Sequence, residues 1–262
     1  TVEAVTGVPA DAIARSARIL GEARSMVAIY GMGITQHTTG TDNVKAVANL
    51  LMLTGNMGRP GTGFSPLRGQ NNVQGACDMG ALPNVFPGYQ KVVDAEARSK
   101  FTIAWKTVLD PEPGLSLTEM VQAADEGRLR ALYVIGENPL MSEPNLNHAR
   151  RAFRKIGFLA VQDIFPTETA LMADVVLPAA CFAEKDGSFT STERRIQRVR
   201  SVLPPPGEAW EDWRIVAEIA TRSGYPMAYD SSAAIMDEIA SLAPIYGGIR
   251  HVRLEQSGGI QW

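Results

Sequence analysis

The chain has 262 residues, with 25 basic and 28 acidic side chains and a formal net charge of -3. Near-balanced charge excludes a protein whose main task is to grip nucleic acid or an anionic membrane, and 45% apolar with 20% charged residues excludes a disordered chain. Two distant cysteines, Cys77 and Cys181, and three scattered histidines, His37, His148 and His251, exclude a disulfide framework, a cysteine-held zinc or iron–sulfur site and a self-contained histidine metal centre. The length suits one large or two medium domains. No apolar run is long enough to span a bilayer, and the start lacks the charged-then-apolar pattern of a secretory signal. The cytoplasm is the default compartment, with the periplasm left open. Opening on Thr1 reads as a processed chain or a piece of a longer one.

From the N-terminus, Pro9 to Ala23 reads as a helix, because Pro9 suits a helix start and Ile13, Ala17, Ile19 and Leu20 recur near helical spacing. The apolar run Met26 to Tyr30 is expected as a buried strand, closed by Gly31-Met32-Gly33. A helix follows from Asp42 to Leu53, with Val44, Val47, Leu50 and Leu51 on one stripe and Gly55 as its stop. Strand, glycine turn and helix make one unit of a layered α/β domain. The turn Gly31 to Gln36 opens like a dinucleotide-binding loop. However, Gln36 stands where a third glycine belongs, and no acidic residue follows at the expected distance. Alone it is a weak sign of NAD and a better one of some nucleotide-like ligand.

Between Gly55 and Gly88 the chain is polar and punctuated by glycine and proline, which predicts a long irregular segment, functional or mobile. Within it, Arg68 to Gln74 places one arginine among the amides of Gln70, Asn71, Asn72 and Gln74. A guanidinium fork there suits a small planar carboxylate; the alternative is a surface arginine holding loop carbonyls.

The middle is clearer. Ser116 and Glu119 form a capping box for a helix running to Ala124. Ala131 to Ile135 reads as a strand ending at Gly136-Glu137-Asn138-Pro139, Asn145 to Lys155 as a helix, and Phe158 to Gln162 as a second strand ending at Asp163. A short helix follows Pro166 to Thr169, and a third strand, Asp174 to Leu177, closes at Pro178. Strands joined by helices imply parallel pairing, with ligands beyond the carboxyl ends, here Asn138, Asp163 and Pro178. Asp163 could accept ribose hydroxyls or the N–H edge of guanine, and Thr167 and Thr169 suit phosphate. The same residue types routinely cap helices. Glu184 to Arg200 reads as an extended segment or hairpin whose Arg194, Arg195, Arg198 and Arg200 form a solvated face. Two helices, Ala209 to Ser223 and Ala233 to Leu242, complete the pattern. On residue type alone, Lys185 and Asp212 are salt-bridged surface residues, and Cys77 and Cys181 are small buried side chains.

The block RGQNNVQGACDMGALP, Arg68 to Pro83, followed by PGYQ, resembles the catalytic subunit of molybdenum- or tungsten-dependent formate dehydrogenases, members of the dimethyl sulfoxide reductase superfamily. YGMGITQH, LLMLTGNMGRPGTG, IGENP, VQDIFPTETA, ADVVLP, EKDGSFTSTERRIQ and EDWRIVAEIATRSGYP follow in family order over almost the whole chain. The resemblance implies an α/β fold of layered parallel sheets with flanking helices, as Rossmann-like molybdopterin-binding domains that are incomplete relative to the family. It implies bis-molybdopterin guanine dinucleotide with Mo or W, shared with parts outside this chain, and a four-iron four-sulfur cluster in the full-length subunit. Met32, Gln36, Asn138, Gln162, Asp163, Lys185 and Asp212 match cofactor-binding positions, which reverses the surface reading of Lys185 and Asp212. Arg68 matches the arginine that orients formate, with Gln70 and the following asparagines lining the site.

The resemblance further implies transfer of formate's hydrogen to a metal–sulfido centre, release of CO2 and passage of two electrons onward. The partners it implies are formate, the rest of the catalytic subunit and electron-transfer subunits, with no nucleic acid. The family's cysteine cluster motif, its Cys or selenocysteine metal ligand and its C-terminal barrel have no counterpart here, so no metal ligand is assigned and the chain reads as an interior fragment, inactive alone. The expected division is 1–70, the end of one cofactor domain; 71–182, a second; and 183–262, a basic extended segment and helices returning toward the iron–sulfur domain. Such a fragment should expose apolar surface and could self-associate. The alternatives are a non-catalytic nucleotide- or pterin-binding module, or another molybdopterin oxidoreductase such as a nitrate reductase.

Overall fold

A computed structural model describes residues 1–262, which divide into two units, Thr1–Asn71 and Asn72–Trp262. In the first, α1 (Val2–Thr6) is capped by Thr1 and ended by Gly7 in the left-handed region, at φ 71°. Pro9, its φ near that of a helix, leads into α2 (Ala10–Glu22). Then come β1 (Val27–Tyr30), α3 (Met32–Thr35), α4 (Gly40–Leu53) and β2 (Gly63–Pro66). β1 and β2 pair in parallel, Val27 with Gly63 through to Tyr30 with Pro66.

β2 lies inside the stretch expected to be irregular, and side-chain chemistry explains it. Asn56 is fully buried. Its Oδ1 accepts from the Met26 amide at 2.8 Å, and its Nδ2 donates to the Thr54 carbonyl and hydroxyl. Arg59 donates to the carbonyls of Gly55 and Arg24. These bonds lock the turn after α4 and aim the chain back along β1. Periodicity carries no sign of them. The unit buries only Gly40, Leu51 and Asn56. Ile29 is 64% and Leu53 85% exposed, and α2 buries nothing. The apolar exposure expected of an incomplete domain is therefore present.

The second unit opens with α5 (Val73–Asp78), again within the stretch expected to be irregular, followed by the hairpin of β3 (Val85–Phe86) and β4 (Gln90–Lys91) and by α6 (Ala95–Trp105). Asp94 caps α6 by accepting from the Glu96 amide at 2.9 Å. Its buried Phe101 packs on Phe86 and Trp105. The capping box of Ser116 and Glu119 forms at the start of α7 (Leu117–Asp125). Next are β5 (Ala131–Ile135), α8 (Pro139–Ser142), α9 (Leu146–Phe153), β6 (Phe158–Asp163), a single 3-10 turn at Ala170–Met172, and β7 (Val175–Pro178). β5, β6 and β7 form the expected parallel sheet in that order. One face, carrying Val134, Leu159 and Val161, packs on Val121, Ala149 and Phe153 of α7 and α9. Parallel sheets are normally covered on both faces, yet Ile135 and Phe158 on the strands remain about half exposed.

A second sheet is antiparallel, formed by β8 (Gly187–Thr190), β9 (Arg195–Val199) and, after α10 (Asp212–Arg222), α11 (Ser232–Leu242), a 3-10 turn (Pro244–Tyr246) and α12 (His251–Ser257), the terminal β10 (Ile260–Gln261). Ile196 on β9 anchors its core with Met236, Tyr246 and Leu254. The expectation of a solvated arginine face needs correction. The Arg198 side chain is only 12% exposed, and its guanidinium pairs with Glu255 and Asp186 because β9 lies under α12. Cys77 and Cys181 are free and half-buried rather than fully enclosed. No helix is long and apolar enough to cross a membrane. The architecture is α/β, with parallel sheets and flanking helices.

Candidate functional site

Gln162 is the last residue but one of β6. Because Tyr133 pairs with Ala160, Tyr133 and Gln162 are diagonal neighbours on the open face of the sheet. Gln162 is fully buried there. The Tyr133 hydroxyl donates to Gln162 Oε1, and Gln162 Nε2 donates to Asp212 Oδ1 at 2.6 Å. Burial and the charge of Asp212 push the Tyr133 hydroxyl above its ordinary range, which keeps it a donor and fixes the amide's orientation. Asp212 sits in the first turn of α10, where the helix dipole favours a carboxylate. Its other oxygen pairs with the Lys185 ammonium. Tyr133, Gln162, Asp212 and Lys185 thus form one continuous polar chain. Each of Lys185 and Asp212 is salt-bridged, as residue type suggested, here to the other, and the pair is also joined to Gln162.

Lys185 and Asp212 line a cavity of about 310 Å³ together with Ser188, Trp213 and His251. Trp213 Nε1 is buried and has no hydrogen-bond partner. An orphaned donor of this kind costs about 1–3 kcal/mol. Burial, and then the neighbouring Arg198, hold the His251 imidazole below its ordinary range.

Register sets Ile135, Gln162 and Leu177 side by side and pairs Asp163 with Pro178, so the three strand exits share one sheet edge. Asn138 Oδ1 accepts from the Thr169 amide and hydroxyl, the latter at 2.8 Å, while Nδ2 donates to Glu168 at 2.6 Å. That bond holds the Glu168 carboxyl below its usual range. Asp163 accepts from the Ile164 amide at 2.7 Å, and Thr167 from the Ala170 amide at 3.2 Å. Asp163 and Thr167 therefore make local bonds of the capping kind, whereas Asn138 ties the end of β5 to the segment that follows β6.

In the first unit, Met32 begins α3 at the carboxyl end of β1, and Gln36 closes that helix by donating its amide to the Met32 carbonyl at 2.8 Å. Arg68 and Gln70 follow the carboxyl end of β2 and are exposed. The Leu67 amide still bonds to Tyr30 at 2.7 Å, so Arg68 leaves the sheet one residue later. A Cβ on Gly69 would lie 3.8 Å from Met32 Cε, which makes Met32 and the Arg68 loop neighbours.

The block beginning at Arg68 continues into α5, clamped at both ends. Asn72, at φ 61°, accepts from the Thr190 amide at 2.9 Å, and a Cβ on Gly75 would overlap the Asn72 carboxamide. At the other end Asp78 is fully buried and accepts from Gln74, Tyr89, Tyr246 and Trp262. Sequence reading missed Tyr133, Trp213 and Asp78. Tyr133 alternates in phase with Gln162 across the sheet, a usable signal once register is known. The donors to Asp78 are scattered over almost the whole unit, and nothing local marks them.

Residues 14–222 match the molybdopterin oxidoreductase family, and the chain belongs to it. It is 52% identical over 260 residues to the F420-dependent formate dehydrogenase subunit alpha of Methanocaldococcus jannaschii, with 98% of this chain and 38% of that protein covered. It is 44% identical over 263 residues to formate dehydrogenase H of Escherichia coli, with 100% of this chain and 37% of that protein covered. Among solved structures, acetylene hydratase from Pelobacter acetylenicus overlays with a TM-score of 0.46 at 20% identity, over 55% of this chain and 20% of that one. The chain spans little more than a third of the length of those formate dehydrogenase relatives.

The family implies a molybdopterin cofactor, a group with phosphate charge and with donor and acceptor edges. The residues present fit it. Lys185 and Asp212, an ammonium and a carboxylate, line the cavity at one end of the polar chain and offer it a charged donor and a charged acceptor.

Proposed function

We propose that the chain is part of a formate dehydrogenase catalytic subunit that oxidises formate to CO2 at a bis-molybdopterin guanine dinucleotide centre. Its carrying observation is the polar chain in which Gln162, Asp212 and Lys185, three residues that the family resemblance matches to cofactor positions, are joined by hydrogen bonds. The names of its relatives support formate as the substrate. When bound, the cofactor supplies the Mo or W centre that accepts formate's two electrons.

The chain's own residues bind and orient. Tyr133 fixes the Gln162 amide, which holds Asp212, which in turn holds Lys185 for an anionic or acceptor group. Asn138 and Asp163 present the sheet edge, and Met32 and Gln36 the turn after β1. Arg68 orients the formate carboxylate and offsets its charge, with Gln70 beside it. A guanidinium remains protonated, so it positions rather than transfers protons. In this reading 1–70 and 71–182 belong to two cofactor domains and 183–262 returns toward an iron–sulfur domain holding a four-iron four-sulfur cluster, with electron-transfer subunits as partners and the cytoplasm as compartment. The open faces of α2, β1 and β5–β7 suit the rest of the subunit or, without it, a second copy.

In the intact subunit, Arg68→Ala should abolish formate oxidation while metal and pterin content stay near those of the parent. Normal turnover in that variant overturns the role of Arg68. Intact binding of the cofactor by a Gln162→Leu, Asp212→Ala double variant overturns the role of the polar chain.

A further inference from the structure

On the second unit, three aromatic rings and a carboxylate line one cavity. Trp105 ends α6, and Lys106 caps it at φ 52°. After α10 the chain runs extended, with Tyr225, Met227 and Tyr229 half-buried and Pro226 and Ala228 exposed between them. Glu238 stands on α11. Trp105 Nε1 donates to Glu238 Oε1 at 3.1 Å, Tyr229 donates to Oε2 at 2.7 Å, and the Tyr225 hydroxyl donates to the Trp105 carbonyl at 2.8 Å. Together they line a cavity of about 410 Å³.

Both donors to Glu238 are uncharged, so its negative charge is satisfied geometrically and not neutralised. With burial, that charge pushes the Tyr229 hydroxyl above its ordinary range. Aromatic faces attract cations, by about 0.5–2 kcal/mol per ring depending on desolvation. The hydrogen bonds hold the rings before any guest arrives, which lowers the ordering cost of binding. The chain's own cation–ring pairs lie elsewhere, with Lys100 over Phe101, Arg194 over Trp262 and Arg214 over Trp210. An anion would meet Glu238, and a neutral apolar guest would strip water from that carboxylate without replacing it.

We propose that this cavity binds a primary alkylammonium group, the chemistry shared by a lysine side chain and a free polyamine. The site is independent of the formate reading. Lys106 at the rim opposes a second positive charge, so the cavity takes one ammonium and binds it more tightly once Lys106 is neutralised.

The test follows the isotope-labelled methyl of Met227, assigned with Met227→Leu, in the full 262-residue chain titrated with n-butylammonium chloride. A saturable shift is expected, with none from n-butyl sulfate at equal ionic strength. Glu238→Gln should weaken binding by at least about tenfold, Lys106→Gln should tighten it, and Tyr229→Phe should change it only a few-fold because the carboxylate remains. Thermal melting of each variant checks folding, and the Lys106 and Tyr229 arms stand if Glu238→Gln is unstable. Acetyl-lysine-amide, blocked at its α-amine and free at Nζ, compared with spermidine identifies the source; saturation by either supports the proposal. No saturable shift with any amine, or equal affinity in Glu238→Gln, overturns it.

Discussion

Asp78 offers the sharpest test of how the second unit is held together. Gln74 Nε2 and the Tyr89 hydroxyl each reach Oδ1 at 2.8 Å; the Tyr246 hydroxyl reaches Oδ2 at 2.8 Å and Trp262 Nε1 at 3.0 Å. In Asp78→Ala some donors have alternatives. Gln74 and Tyr89 can keep each other at 3.0 Å, and Tyr246 can keep Thr190 at 2.8 Å. Trp262 Nε1 has none. The orphaned Trp262 donor at about 1–3 kcal/mol, added to its lost bond to a charged acceptor at about 1.5–3 kcal/mol, predicts a loss of roughly 2.5–6 kcal/mol, a large part of the stability of a small domain. Asp78→Asn keeps one carbonyl oxygen, and a tyrosine hydroxyl can turn to accept from its amide. Only one donor then conflicts, and the loss should be about 2–3 kcal/mol. Urea denaturation followed by circular dichroism and tryptophan fluorescence should rank the parent above Asp78→Asn, and Asp78→Ala last. A loss under about 1 kcal/mol in Asp78→Ala would refute the reasoning, because desolvating the carboxylate would then already cancel its bonds.

Two further outcomes follow from the same geometry. Burial, and then the bond to Asp78, push the Tyr89 hydroxyl up to about 12, against about 10 in an unfolded chain. Below about pH 10 both states keep the proton and the contribution is complete. As pH rises from there toward 12 the unfolded state loses its proton first, so stability should fall over that window and fall less steeply in Tyr89→Phe, as denaturation at stepped pH will show. In the first unit, Asn56→Ala leaves the Met26 amide without its side-chain acceptor and should cost about 1–3 kcal/mol, seen as faster hydrogen exchange at Met26 and Gly63; unchanged exchange would mean that the turn is held by Arg59 alone.

Much of the fold was legible because its elements are marked locally. The capping box at Ser116 and Glu119 formed at α7, and the apolar runs at Ala131 and Phe158 paired in parallel. The segments that were missed share a different cause. β2 and α5 lie in glycine-rich sequence and are held by Asn56, Arg59, Asn72 and Asp78, whose partners lie up to 184 residues away. α6 escaped notice because its apolar residues bunch at Phe101, Ile103, Ala104 and Trp105 rather than recurring along one stripe. Arg198 was misjudged because four nearby arginines look alike on paper, whereas strand alternation and α12 turn one of them inward.

The two readings of Lys185 and Asp212 show what sequence leaves open at a binding site. Residue type alone made each a salt-bridged surface residue, and resemblance made them cofactor residues. The geometry shows the ion pair, half-exposed at one end, and joins it to a fully buried glutamine at the other. A purely superficial pair would be worth about 0–1 kcal/mol and need no buried partner. Burying Gln162 costs free energy unless both ends of its amide are used, and Tyr133 and Asp212 use them. Lys185 is thereby fixed on the wall of a cavity that Trp213 also lines.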